Sequence, residues 1–129
     1  MTVYIDASAA AKLLVHEPES APLASYLDGL QPAEGPVSSA LLETELRRVA
    51  VRLALPQLAV SEVLGRVTLI EPGRSLFYEA GLLPGVGLRS LDALHLATAM
   101  RLDEAILVAY NSRMLRSALE LGMTVASPN

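Results

Sequence analysis

A chain of 129 residues, 52% of them hydrophobic, has material for one real core and not for two, so a single domain over 1–129 is expected. No apolar run approaches the roughly 20 residues of a membrane span, the start has neither a basic segment nor a cleavable apolar one, and the absence of cysteine excludes disulfides and thiolate metal sites and fits a reducing cytoplasm. The net charge of −4 argues against a protein that coats nucleic acid.

Residues 2–6, "TVYID", read as a short buried strand that delivers an aspartate, Asp6. Ser8–Glu17 has helix formers and ends before Pro18, and Glu19–Leu30 reads as a second helix followed by turn-rich residues to Pro36. "PVSS" (Pro36–Ser39) reads as a brief strand and a cap. From Ala40 to Ala54 the pattern is helical, with Leu42, Leu46, Val49 and Leu53 on one stripe. Pro56 breaks it, and a further helix runs to Leu64. Arg66–Pro72 is a strand stopped by Pro72 and Gly73; "RSLFYEAGLL" is a helix and "PGVG" (Pro84–Gly87) a loop. Ser90–Leu102 is a helix with Ser90 as its expected cap, Ala105–Tyr110 a buried strand, "SRMLRSALEL" a helix stopped by Gly122, and "MTVAS" a last strand. Strands alternating with helices predict a parallel sheet covered on both faces.

Three acids fall where such a fold places its chemistry. Asp6 ends the first strand, and the carboxyl ends of central strands are where ligands bind in open α/β sheets. Asp92 opens the Ser90 helix, where the dipole favours negative charge and a capping role is the ordinary explanation. On the Ala40–Ala54 helix, Glu43 has Arg47 four residues on, as a surface pair does. Glu45 has Leu42 at i−3 and Val49 at i+4, so it borders the buried stripe and needs a cationic partner. Carboxylates converging on one edge repel unless a divalent cation neutralises them, and hard ions such as Mg²⁺ or Mn²⁺ prefer oxygen ligands. Without a cation, the neighbours raise one another's pKa.

Taken in order and spacing, "VYIDASAAAKLL", "VSSALLETELRR", "LRSLDALHLATAM" and "LVAYNSRMLRSALELGMTVASP" resemble the PIN-domain ribonucleases, and most of all the VapC toxins of bacterial VapBC toxin–antitoxin pairs. The resemblance runs from end to end. It implies a three-layer α/β/α fold with a central, mostly parallel sheet of four to five strands. It implies Mg²⁺-dependent cleavage of RNA (tRNA, rRNA or mRNA), with Mn²⁺ able to substitute, at Asp6, Glu45 and Asp92. Ser8 matches the small hydroxyl residue that contacts water or phosphate near the ion. It also implies a VapB-like antitoxin that blocks the site, and a homodimer or, with antitoxin, a heterotetramer or larger assembly. One position departs: where the family commonly has an aspartate, as "TYD", this chain has Asn111. An amide keeps a neutral oxygen ligand and loses the charge, so one well-held ion and a weaker or absent second are expected.

Other polar residues have bland readings beside the sharp ones. Ser8 is expected to cap the first helix. His95 could pass for a general base, but a satisfied buried or half-buried histidine is the better reading. His16 near a helix end needs no more than the dipole to explain it. A single lysine, Lys12, leaves nine arginines among ten basic residues. Of these, Arg89, Arg113 and Arg116 are candidate phosphate contacts, with salt bridges an equal alternative. Leu13, Leu14, Val15, Leu27, Leu58 and Val63 exceed the needs of one small core and suggest an apolar groove for an antitoxin helix. Two other classes stay open. One is a PIN domain weakened at Asn111 and acting as a binding module. The other is a phosphotransfer α/β domain with Asp6 as acceptor, which wants a second aspartate at position 8, where Ser8 stands, and a lysine at the site.

Overall fold

The structure, a computed structural model, describes residues 1–129 with the exception of the Glu34 side chain. Five strands form one sheet: β1 (Thr2–Ile5), β2 (Val37–Ser39), β3 (Thr68–Ile70), β4 (Ala105–Val108) and β5 (Thr124–Ala126). Their order is β3-β2-β1-β4-β5 and every pairing is parallel. Seven α-helices connect and cover them among the described residues: α1 (Ala7–Leu14), α2 (Ser20–Asp28), α3 (Leu41–Leu53), α4 (Gln57–Leu64), α5 (Arg74–Gly81), α6 (Ser90–Met100) and α7 (Ser112–Glu120). A short 3₁₀ turn, Pro32–Glu34, occupies the turn-rich stretch.

β1 is the hub. It pairs with β4 in register from Thr2↔Ala105 to Ile5↔Val108, and with β2 at Tyr4↔Val37. The chain moves outward from β1 to β3, then returns past β1 to β4 and β5. The order therefore reverses between β1 and β4, and the carboxyl ends of strands at such a reversal are where open α/β sheets bind ligands.

Alternation along β1 divides the core. Val3 and Ile5 join Leu23, Leu42, Leu46, Ala50 and Val60 on the face covered by α1–α4. Tyr4 points the other way, among Leu96, Ala99, Leu107 and Met114 under α6 and α7. Period-2 side-chain alternation on a strand buried on both faces produces this division.

The α3 stripe differs from expectation at its end. Leu42, Leu46 and Ala50 are buried, whereas Leu53 is 48% exposed. The reason is that α3 stops there: Ala54 turns left-handed at φ 54°, and Leu55 N–H closes back on the Ala50 carbonyl at 2.9 Å.

Candidate functional site

Asp6 follows β1 directly and is the N-cap of α1. Its Oδ1 accepts from Ala9 N–H at 3.0 Å and from Ser8 Oγ at 2.7 Å. Ser8 is thus not the cap that its position suggested. Its hydroxyl donates to Asp6 and accepts from Tyr110 N–H at 2.9 Å, tying the end of β1 to the chain leaving β4. Asp6 needs the backbone of α1 and the hydroxyl of Ser8 at once, so the serine is left to brace it.

Asp6 is only 3% exposed. Burial pushes its carboxyl above the ordinary range; the hydrogen bonds from Ser8 and Ala9, and then His95, offset part of that, and repulsion from Asp92 adds the smallest share. Asp92 lies in the first turn of α6, half-buried, close enough for that repulsion. Ser90 does not cap this helix: Arg89 holds the N-cap position without a side-chain bond, and Ser90 begins the helix itself.

Glu45 is half-buried in the second turn of α3, and what meets it is an imidazole: Glu45 Oε1 lies 2.6 Å from His95 Nε2. His95 is 1% exposed, and its Nδ1 lies 2.6 Å from the Tyr4 hydroxyl. The histidine is satisfied and buried, as read. Its link to Glu45, across 50 positions of sequence, was not read. No local signal records it, since His95 and Glu45 stand on different helices. Glu43 behaves as the bland reading held, paired with Arg47 at 2.9 Å in solvent.

Asn111 follows β4 by three residues and is the N-cap of α7. The sequence suggested its amide oxygen as a ligand. In the structure Oδ1 accepts from Arg113 N–H at 3.0 Å and Met114 N–H at 3.4 Å, while Nδ2 is turned to Asp92 Oδ2 at 3.4 Å. The oxygen serves the helix cap, and the amide nitrogen meets Asp92 as a weak donor.

The arginines divide. Arg113 and Arg116 line a cavity of about 200 Å³ under the Pro84–Gly87 loop, with Ser117 and Glu120. The Arg113 Nε is buried there without a hydrogen-bond partner. Gly85 makes the close loop approach possible, since φ is +111° and a Cβ would stand 2.8 Å from Ser117 Oγ. Arg89 is exposed and does not line this cavity. Lys12, which a phosphotransfer site would need, is held by Glu17 at 2.6 Å and Glu19 at 2.8 Å.

Asp6 feels the charge of Asp92, Asn111 meets Asp92, and Glu45 is joined through His95 to the same α6 helix, while among the described residues no three acidic or imidazole groups close a metal shell. The donor chemistry still fits a hard divalent cation. The acids are all-oxygen, Asp6 is buried, and Asp92 repels it.

A PIN-domain family model matches residues 3–119. The chain belongs to the PIN-domain family. Its relatives include ribonuclease VapC46 of Mycobacterium tuberculosis, 39% identical over 130 residues with 98% of each chain covered. Ribonuclease VapC35 of the same organism is 37% identical, with 98% of this chain and 96% of the relative covered. Ribonuclease VapC47, also from that organism, is 35% identical at the same coverage. The PIN domain here is of the VapC type, and its five-stranded parallel sheet between helical layers is the expected three-layer fold.

Burial of Asp6 has a consequence for stability. Folded Asp6 holds its proton more tightly than the unfolded chain does. Stability is therefore fullest below the ordinary carboxylate pKa, about 4, and falls as pH rises through the raised value. Asp6→Asn keeps an oxygen for Ala9 N–H and Ser8 Oγ while removing the charge. Without divalent ions it is expected to melt above the parent at pH 7, with the difference shrinking toward pH 4. A scanning-calorimetry series showing the Asp6→Asn variant less stable than the parent at pH 7 would contradict this account.

Proposed function

We propose that this chain is the toxin of a VapBC-type toxin–antitoxin pair, an endoribonuclease that hydrolyses RNA phosphodiesters with Mg²⁺, for which Mn²⁺ can substitute. One observation carries the reading: a buried aspartate, Asp6, ends the central strand of a PIN domain that is 39% identical to a ribonuclease. Asp6 and Asp92 would hold the ion, and Glu45 would reach it directly or through water. When bound, such an ion neutralises phosphate charge and activates water.

The residues of this chain supply the rest. Ser8 and the α1 N-terminus fix Asp6 Oδ1, so the acid is oriented before any ligand arrives. The Asn111 amide gives Asp92 a neutral neighbour where an acid would add repulsion. Arg113 and Arg116 offer guanidinium groups to the RNA backbone, with Arg89 at the α6 N-terminus a further contact. A VapB-like antitoxin is the expected partner. A cleft of about 390 Å³ lined by Leu13, Leu14, Ala24, Ala59 and Val63 suits an amphipathic helix, with Arg66 at hand for acids. Leu27 lines an adjoining cavity, and Leu58 is 69% exposed. Dimerisation would use other helices.

Partner-free protein is expected to cut RNA with Mg²⁺ or Mn²⁺ and to stop with EDTA. Asp6→Ala, Asp92→Ala and Glu45→Ala should each lower the rate by at least about 100-fold. Glu43→Ala should cost only about 0.2–0.5 kcal/mol of helix pairing. Cleavage that persists in EDTA, or in Asp92→Ala, would refute the reading.

Restoring the acid tests the departure. Asn111→Asp keeps an oxygen for the α7 cap and adds a charge beside Asp92. Mg²⁺ affinity is expected to rise, with activity equal or greater. Weaker Mg²⁺ binding by calorimetry would mean that Asn111 is only a cap. For the partner, Leu14→Glu with Val63→Glu should abolish co-purification with the antitoxin while RNA cleavage persists. An unchanged complex would move the partner off this cleft.

A further inference from the structure

We propose that Tyr4 and His95 are positioning residues for Glu45, joined to it by a buried hydrogen-bonded chain that crosses the sheet edge from the α6 layer to the α3 layer. The inference rests on the reading of Glu45 as a site residue and adds to it what holds that carboxylate in place.

The chain is short and each link is close. A ring N–H donates and a carboxylate oxygen accepts, so the contact at 2.6 Å suits donation from His95 Nε2 to Glu45 Oε1. The other ring nitrogen, Nδ1, meets the Tyr4 hydroxyl, also at 2.6 Å. Tyr4 is suited to this. Burial pushes its phenol far above the ordinary range, with the Ser38 and Thr98 hydroxyls offsetting only part, so it stays protonated. The two rings also meet edge to face, centroids 5.8 Å apart at 70°. The imidazole has no freedom to turn: each nitrogen is bonded and the ring is 1% exposed.

Core stability alone does not account for the arrangement. A histidine buried for packing needs partners for two nitrogens, and nearby backbone would serve. This one reaches from α6 to an acid in the second turn of α3. The Glu45 Oε2 makes no hydrogen bond among the described residues, so one oxygen is anchored and the other left available. Groups that hydrogen-bond a metal-binding carboxylate fix its orientation and tune its affinity.

The test compares His95→Gln, which can still offer an N–H toward Glu45, with His95→Leu, which fills space without bonds. Tyr4→Phe removes only the phenolic oxygen. Mn²⁺ affinity by calorimetry and the kcat and KM for RNA are read on folded protein, with melting temperature as control. Expected is a loss of about 10–100-fold in Mn²⁺ affinity and kcat for His95→Leu, a smaller loss for Tyr4→Phe, partial rescue in His95→Gln, and little change in KM. Nitrogen NMR of the parent should show the Nε2-protonated tautomer. If folded His95→Leu and Tyr4→Phe keep parental Mn²⁺ affinity and kcat while melting lower, the chain is structural and the inference fails. Should His95→Leu not fold, Tyr4→Phe and His95→Gln decide by the same readouts. Glu45→Ala is measured beside them: if it is fully active, the reading of the site fails. If it is inactive while the other variants are normal, only the positioning role fails.

Discussion

A carboxylate buried at the carboxyl end of the central strand is the constraint around which the rest of this molecule is arranged. Asp6 has β2 and β4 paired on either side of its strand, a helix beginning beneath it, and a second acid, Asp92, arriving from α6. Desolvation alone makes its charge costly. The surroundings return part of that cost through two hydrogen bonds to one oxygen, from Ser8 and Ala9. What remains is a demand for positive charge at that edge, which is how the fold and the chemistry come to be the same problem.

Helix N-termini answer part of the demand. Asp6 caps α1, Asn111 caps α7, and Asp92 sits in the first turn of α6. The partial positive charge of each N-terminus favours the acid or polar group placed there. A capping role and a functional role are therefore not competing explanations for Asp6. The bond that caps α1 is also the bond that orients the carboxylate. At Asn111 the balance shifts: a neutral side chain makes the same cap and relieves the edge of one charge, so the helix is served and the acid cluster is thinner.

Much of this was legible in the sequence because the signals were local. Prolines and glycines mark the element ends, as at Pro56, Pro72 and Gly122, and strands alternating with helices dictate a covered parallel sheet. The Glu43–Arg47 spacing gave away a surface pair, and the stripe beside Glu45 showed which glutamate faced inward. The misreadings concern which of two neighbouring residues holds the cap position of a helix. Ser8 and Ser90 have good capping chemistry, but Asp6 and Arg89 occupy the cap positions. The oxygen of Asn111, read as a ligand, also caps α7. The Tyr4–His95–Glu45 chain was out of reach for a different reason. It joins three elements far apart in sequence, and no periodicity within any one of them records the meeting.

The two glutamates of α3 show how sharply such meetings can separate residues that look alike. Two positions on a helix lie about 200° apart around its axis, so Glu43 and Glu45 cannot face the same environment. Solvent screens Glu43 and its arginine, and the pair contributes little. Glu45 is turned toward a low-dielectric interior, where an unmatched charge is expensive and a fixed donor is worth more. Its helix belongs to one layer and its hydrogen-bond partner to the other. The position of the carboxylate is therefore set by the spacing of α3 and α6 across the sheet edge, and not by α3 alone. Packing of Leu42 and Leu46 on one side and of Leu96 on the other fixes that spacing. Substitutions in either core would thus be felt at the site, even where they touch none of its acids.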